Sequence, residues 1–296
     1  MGNPVTTTSH DGILEVLLDR PKANAIDAAT SRVLSGVFAD FRDDPSLRVA
    51  ILTGAGERFF SAGWDLNAAA EGEDFEADYG EGGFGGFPEL PGRNKPVICA
   101  VNGLAVGGGF EIAMAADLVV AAEHAAFFLP ETSLGIIPDA GAIRLPRILP
   151  PAIANEVLYA GRRMDAAEAL RWGLVNAVVP ADRLLEEAGA MAGRIVAAAP
   201  LAVEAVMAVD RETRALPLDG AFAHLRSGGL AAYERMLSSE GRRGGPPVVQ
   251  RGTRPSLAGA VEPPIGNRSR CDRARFPVPR HPAVRPTIWG RAWVSV

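Results

Sequence analysis

Asn102-Gly103-Leu104-Ala105-Val106-Gly107-Gly108-Gly109-Phe110-Glu111 leads, through a helix and a short apolar strand, to Leu129-Pro130-Glu131. Three consecutive glycines end one element, and Phe110-Glu111-Ile112-Ala113-Met114-Ala115-Ala116-Asp117 continues as a helix. The first N–H groups of a helix have no intrahelical acceptor and carry partial positive charge. No Gly-Lys-Ser/Thr follows and the glycine spacing fits no dinucleotide fingerprint, so a phosphate cradle is disfavoured. Two uses remain. One is a tight strand-to-helix turn with close backbone packing; the other is a set of donors for an oxygen that gains negative charge. Taken singly, Glu111 at a helix start is a dipole-complementing carboxylate and Glu131 after a proline is a surface one. Brought to one pocket, they would be two groups for proton transfer.

Outward from this stretch the chain alternates strands and helices. Ile13 to Leu18, Val49-Ala50-Ile51-Leu52-Thr53, Val97-Ile98-Cys99-Ala100-Val101 and Leu118-Val119-Val120-Ala121 read as strands. Asp27 to Phe41 has helical apolar spacing, with Asp27 placed as N-cap. Continuous apolar strands separated by helices predict an α/β fold with a largely parallel sheet covered on both faces. Gly80 to Phe87 holds five glycines and reads as a flexible loop. From Ala152 to about Ser238 the chain is predicted mostly helical, with amphipathic stretches at 182–199 and 201–214.

Composition narrows the function classes. Hydrophobic residues make up 48% and charged residues 22% of the 296, ordinary for a globular protein. A net charge of −5 gives no reason to expect nucleic-acid binding. The start, Met1-Gly2-Asn3-Pro4-Val5-Thr6, has no basic and apolar leader, and no apolar run approaches the roughly 20 residues of a membrane helix. Cys99 and Cys271 are the only cysteines, so a reducing, cytoplasmic setting is expected. The four histidines and two cysteines show no metal-ligand spacing, and no metal is expected.

The glycine turn, the two glutamates and Phe60-Ser61-Ala62-Gly63-Trp64-Asp65-Leu66 together resemble the crotonase (enoyl-CoA hydratase/isomerase) superfamily. The resemblance covers about residues 5–240 and extends to Leu18 to Asp27, Phe41 to Pro45, Ile148 to Ile153, Gly161 to Met164 and Ala169 to Gly173. It implies a fold of repeated ββα units (ClpP/crotonase-like) with a C-terminal helical region. It divides the chain into a core over 1–200, a helical trimerisation region over 201–240 and a tail over 241–296. It also implies that the backbone N–H groups of Trp64 and Gly108 hold a thioester oxygen as it becomes an enolate. Glu111 and Glu131 then move protons as a coupled pair. Coenzyme A contacts are implied at Ser61, Ala62, Gly63 and Asp65, and at Lys22, Ala23 and Asn24 of the Arg20 to Ala25 segment. Lys22 alone would be only a solvated charge.

The implied activity is that of a hydro-lyase on an acyl-CoA, with coenzyme A arriving as part of the substrate and no separate cofactor. A homotrimer or dimer of trimers is implied. The segments closest in likeness point to an acyl group ending in trimethylammonium. Most crotonases have a small residue where Trp64 stands, and an aromatic face attracts such a cation. Trp64, with Phe84 or Phe87, is therefore expected to face it; core packing is the alternative for Trp64. Asp139 either balances the cation or caps a helix. A general short-chain 2-enoyl-CoA hydratase or isomerase, or a non-catalytic acyl-CoA binder, are the other expectations. Two departures from the family pattern stand out. Gly141-Ala142-Ile143-Arg144-Leu145-Pro146 is one residue shorter than the family's Gly-Gly-x-x-Arg-Leu-Pro, which would disturb the pocket. And the family's last helix is replaced by the tail.

From Gly241 the chain carries eleven arginines, no lysine and two acids, Glu262 and Asp272, a net of +9 in a chain of −5. Nine prolines interrupt it, and no helical or strand period survives. Such a composition builds no packed core and is expected to be disordered. It is either a basic arm for an acidic partner or the product of a reading-frame shift.

Overall fold

The computed structural model describes residues 3–239. The basic tail and the question of the last helix lie outside them. The described chain runs β1 (Val5–His10), β2 (Ile13–Leu18), α1 (Ala28–Asp43), β3 (Val49–Gly54), β4 (Phe59–Ser61) and α2 (Leu66–Ala70). Then come β5 (Val97–Val101), β6 (Leu104–Val106), α3 (Gly108–Ala115), β7 (Leu118–Ala122) and β8 (Ala126–Phe128). The last part holds α4 (Asp139–Ile148), α5 (Pro151–Ala160), β9 (Met164–Asp165), α6 (Ala166–Arg171), β10 (Ala177–Val179), α7 (Leu184–Val196), α8 (Pro200–Thr213), α9 (Leu218–Leu225) and α10 (Ala231–Ser238).

Two sheets form. One has the order β1-β2-β3-β5-β7-β10 and the other β4-β6-β8-β9. Only β1 and β9, each at an edge, run antiparallel to their neighbours. The β3–β4, β5–β6 and β7–β8 pairs each give one strand to each sheet, the repeated ββα plan of the crotonase fold. The apolar strands of the larger sheet are buried on both faces because their alternate residues serve two cores. Val49, Ile51, Ile98, Ala100 and Val120 pack against Leu184, Ala188 and Met191 of α7. Ala50, Leu52, Val97, Cys99 and Val101 face the other way, toward Leu34, Phe38 and Phe110 of α1 and α3. Period-two alternation inside a wholly apolar run is what a covered parallel sheet requires.

α1 starts where expected. The Asp27 carboxylate accepts a hydrogen bond from Thr30 N–H at 2.7 Å and pairs with Arg20 at 2.7 Å. An Asp27→Ala variant should lose about 1 kcal/mol of stability. In a domain of this size that is a melting shift of roughly 2–4 °C, readable by scanning calorimetry.

The glycine-rich segment 80–87 is not the loose loop its composition predicts. Phe87 is 1% exposed and stacks on Phe38 with ring centroids 4.8 Å apart. The Ser31 and Ser35 hydroxyls accept hydrogen bonds from Gly85 and Gly82 N–H. The glycines are there because the backbone presses on α1: a Cβ on Gly86 would lie 2.6 Å from Leu34 Cβ. Crowding and positive φ at Gly80, Gly83, Gly85 and Gly86, and not mobility, select them. Among the described residues no single helix is long and apolar enough to cross a membrane.

Candidate active site

β4, β6 and β8 lie side by side and parallel, so the three segments that leave their C-terminal ends emerge at one edge. β4 is followed by Ala62-Gly63-Trp64-Asp65, β6 by Gly107-Gly108 and β8 by Leu129-Pro130-Glu131. Topology thus gathers residues that are up to seventy positions apart.

The first two segments touch. Gly63 has φ +77° and sits so close to the next loop that a Cβ there would lie 2.6 Å from Gly108 N. Among the described residues neither Trp64 N–H nor Gly108 N–H donates to an acceptor. Gly108 opens α3, so its N–H is one of the free groups at a helix start. The Trp64 N–H is left over by a parallel bridge in which Ile26 N–H donates to Gly63 O at 2.7 Å and Asp65 N–H donates to Ile26 O at 3.0 Å. Two unpaired donors on adjoining loops suit an oxygen that becomes anionic.

The two glutamates flank this point. Gly107, at φ +53°, brings backbone so near Glu131 that a Cβ would meet Oε1 at 2.5 Å. Glu131 is 9% exposed, and its Oε2 has no partner among the described residues. Burial raises its pKa, with Asp139 adding to the rise. Glu111 accepts a hydrogen bond from Gly141 N–H at 2.7 Å. Burial pushes its pKa up to about 7; the Gly141 bond opposes this, while Asp139 and Glu131 reinforce it. Both carboxyls are thus held above the usual carboxylate range, which suits groups that give or take a proton near neutrality.

Gly141 is where a disturbance is expected, and none is found. Counted from Ala140, the segment is Ala140-Gly141-Ala142-Ile143-Arg144-Leu145-Pro146, seven residues, with alanine in place of the family's first glycine. Nothing is deleted. α4 runs unbroken through it, and Gly141 reaches Glu111. Arg144, which the sequence does not single out, donates to Pro88 O at 2.8 Å and opposes the rise at Glu111.

The residues expected at coenzyme A fall into two groups. Lys22 is exposed, with φ +74°, beside Ala23. Asn24 and Ser61 are buried and join the two segments. The Ser61 hydroxyl donates to Asn24 O at 2.7 Å and accepts from Gly63 N–H at 3.1 Å. The Asn24 amide donates to Ala55 O and Phe59 O, both at 3.0 Å. Ala62 N–H donates to Ala23 O at 3.0 Å. Asp65 caps α2 and pairs with Arg20 at 3.2 Å. The side chains of Asn24, Ser61 and Asp65 therefore shape the loops, and what faces outward there is backbone.

A cavity of about 570 Å³ opens beside Gly108 and the two glutamates. Trp64 and Phe84 line it, as does Asp139, whose carboxylate accepts from Ala140 N–H at 2.7 Å in the first turn of α4. Phe87 does not, being in the core. Phe75 and Tyr79 do, unforeseen in the sequence. Segment 71–84 carries acids and no helical or strand period; its one signal is the recurrence of aromatics at 75, 79 and 84. Among the described residues no cluster of three or more His, Cys, Asp or Glu side chains is built to hold a metal ion.

Known proteins carry the same plan. The carnitinyl-CoA dehydratase of Citrobacter koseri is 56% identical over 247 residues, 83% of this chain and 95% of that protein. The crystal structure of enoyl-CoA hydratase from Mycobacterium tuberculosis H37Rv matches with a TM-score of 0.75 and 39% identity, over 82% of this chain and 93% of that one. The crystal structure of carnitinyl-CoA hydratase from Mycobacterium avium matches with a TM-score of 0.69 and 36% identity, over 83% and 95%. The profile of the enoyl-CoA hydratase/isomerase family matches residues 8–224, and with it the resemblance seen in the glycine turn becomes membership: this chain belongs to the enoyl-CoA hydratase/isomerase family.

Proposed function

We propose that this protein is an acyl-CoA hydro-lyase that interconverts L-carnitinyl-CoA and crotonobetainyl-CoA plus water. The observation that carries this is that Glu111, Glu131 and the Gly107–Gly108 turn line one cavity, next to two unpaired N–H donors. The 56% identity to carnitinyl-CoA dehydratases over most of both chains supports the substrate. In the dehydration direction, Trp64 and Gly108 N–H hold the thioester oxygen, which acidifies Cα–H. One carboxylate of the pair takes that proton and leaves the electron pair as an enolate. The enolate re-forms the carbonyl and makes the Cα–Cβ double bond as the Cβ–O bond breaks, and the other carboxyl protonates the departing hydroxyl to water. Hydration is the reverse, and each proton transfer is worth roughly 10²–10⁴-fold.

Coenzyme A enters with the substrate, against backbone of residues 61–63 and the exposed turn at Lys22 and Ala23. A homotrimer or dimer of trimers fits the apolar surface of α8 and α9, where Val206 is 68% and Leu218 75% exposed. Analytical ultracentrifugation of the full chain would read the state directly, a monomer ruling the assembly out.

The test of the reaction is a substrate panel on the full chain. Crotonobetainyl-CoA should be hydrated with a higher kcat/KM than crotonyl-CoA. The reverse order would make the protein a general short-chain enoyl-CoA hydratase, and turnover of neither would leave only acyl-CoA binding.

A further inference from the structure

The aromatic side of the cavity is not explained by the chemistry at the glutamates. Trp64 and Phe75 meet edge to face with centroids 5.5 Å apart, and Tyr79 and Phe84 do the same at 5.3 Å. All four line the one cavity. Phe75 is 38% exposed, so its ring is open to what enters the cavity. Five carboxyl groups line the same space, Asp78, Glu89 and Asp139 besides the two glutamates of the site, and no lysine, arginine or histidine does. A pocket of ring faces under a negative field suits a large, weakly hydrated cation.

Two anchors show that the arrangement is built. The Trp64 indole N–H donates to Glu73 Oε1 at 2.9 Å. The same carboxylate accepts from Ala28 N–H at 3.0 Å, which ties segment 71–80 to the start of α1. Asp139 is held by Ala140 N–H, and its charge reaches Tyr79, Glu111 and Glu131 alike.

We propose that Trp64, Phe75, Tyr79 and Phe84, with the carboxylate of Asp139, form a receptor for a quaternary ammonium group at the end of the acyl chain, and that Glu73 is the positioning residue for Trp64. The proposal rests on the acyl-CoA reading above and names what that reading leaves unassigned, the part of the site that selects the acyl group. Scale agrees with it. In a 4-trimethylammonio acyl chain the nitrogen is four bonds from the thioester carbonyl carbon. A residue whose N–H holds the thioester oxygen therefore has its own ring within reach of that nitrogen.

The test is a pair of saturated thioesters that cannot be dehydrated: 4-trimethylammoniobutanoyl-CoA and its uncharged isostere 5,5-dimethylhexanoyl-CoA. Calorimetric Kd values on the full chain should favour the cation by about tenfold or more. Phe75→Leu and Asp139→Asn should each cut that ratio several-fold, with binding of the neutral thioester reporting that the variants are folded. Glu73→Ala should cut it too, and Glu73→Gln should restore it, because an amide oxygen still accepts the indole N–H. Equal affinities in the parent, or a ratio untouched by Phe75→Leu and Asp139→Asn, would overturn the receptor. A strong cation preference without hydration of crotonobetainyl-CoA would instead uphold the receptor and sink the proposed reaction.

Discussion

Glu111→Gln lowers kcat/KM for crotonobetainyl-CoA hydration by about 10²–10⁴-fold, and Glu131→Gln does the same. The two losses should not multiply. Both groups serve one proton inventory, and residues acting as a unit are strongly non-additive, so the double variant should be little worse than either single one. Steady-state kinetics of the three variants checks this. Turnover left intact by both substitutions would remove the proposed mechanism.

The same Glu111 substitution should make the protein more stable at alkaline pH. The folded-state pKa of Glu111 stands at about 7 against a reference of 4.5, mainly because burial disfavours the charge. A pKa raised on folding means that the native state holds a proton which the unfolded state has lost. That contribution is whole below about pH 4.5 and is lost as pH rises toward 7. Glutamine keeps the oxygen that accepts from Gly141 N–H but carries no charge to desolvate. Above pH 7 the variant should therefore exceed the parent by on the order of 1–3 kcal/mol. Near pH 4.5 the two should converge. Melting curves at pH 5 and pH 8 read it out. Lost catalysis with gained stability is the mark of a group kept for chemistry at a cost to the fold.

How much of this is legible in the sequence depends on distance along the chain. Glu111, Gly108 and the Asp27 cap lie within one turn of what makes them intelligible, and local pattern suffices. Trp64 is found through its neighbours Gly63 and Asp65. The bond between Glu111 and Gly141 spans thirty residues and leaves no local trace. β6 and β8, at three residues each, are too short to display alternation, yet they align the loops that carry Gly107–Gly108 and Glu131. β1 escapes pattern reading because five of its six residues are exposed, so Thr6-Thr7-Thr8 reads as surface. Glycine is ambiguous in principle. In segment 80–87 it answers a lack of space against Leu34 and Ile112, whereas composition alone suggests mobility. Phe75 and Tyr79 acquire their role only because Glu73 folds an acidic segment back over α1 and Trp64.

Gly63→Ala should reduce kcat by at least about 10²-fold, since one misplaced oxyanion donor costs that much. Two effects act at this position. Alanine at φ +77° pays a left-handed backbone penalty of roughly 1–2 kcal/mol. Its Cβ would also lie 2.6 Å from Gly108 N and 2.8 Å from Val106 O, and both are backbone atoms that cannot turn aside. The β4 and β6 loops must separate, and Trp64 and Gly108 N–H move apart with them; a shift of about 1 Å is enough for the predicted loss. Gly173→Ala separates the two effects, because Gly173 has φ +76° and nothing lies within 4 Å of where its methyl group would sit. Gly173→Ala should lower the melting temperature and leave kcat near the parent's, whereas Gly63→Ala should lower both. If Gly63→Ala retained the parent's kcat, the contact between the two loops would not be what holds the donors, and the oxyanion site would have to lie elsewhere.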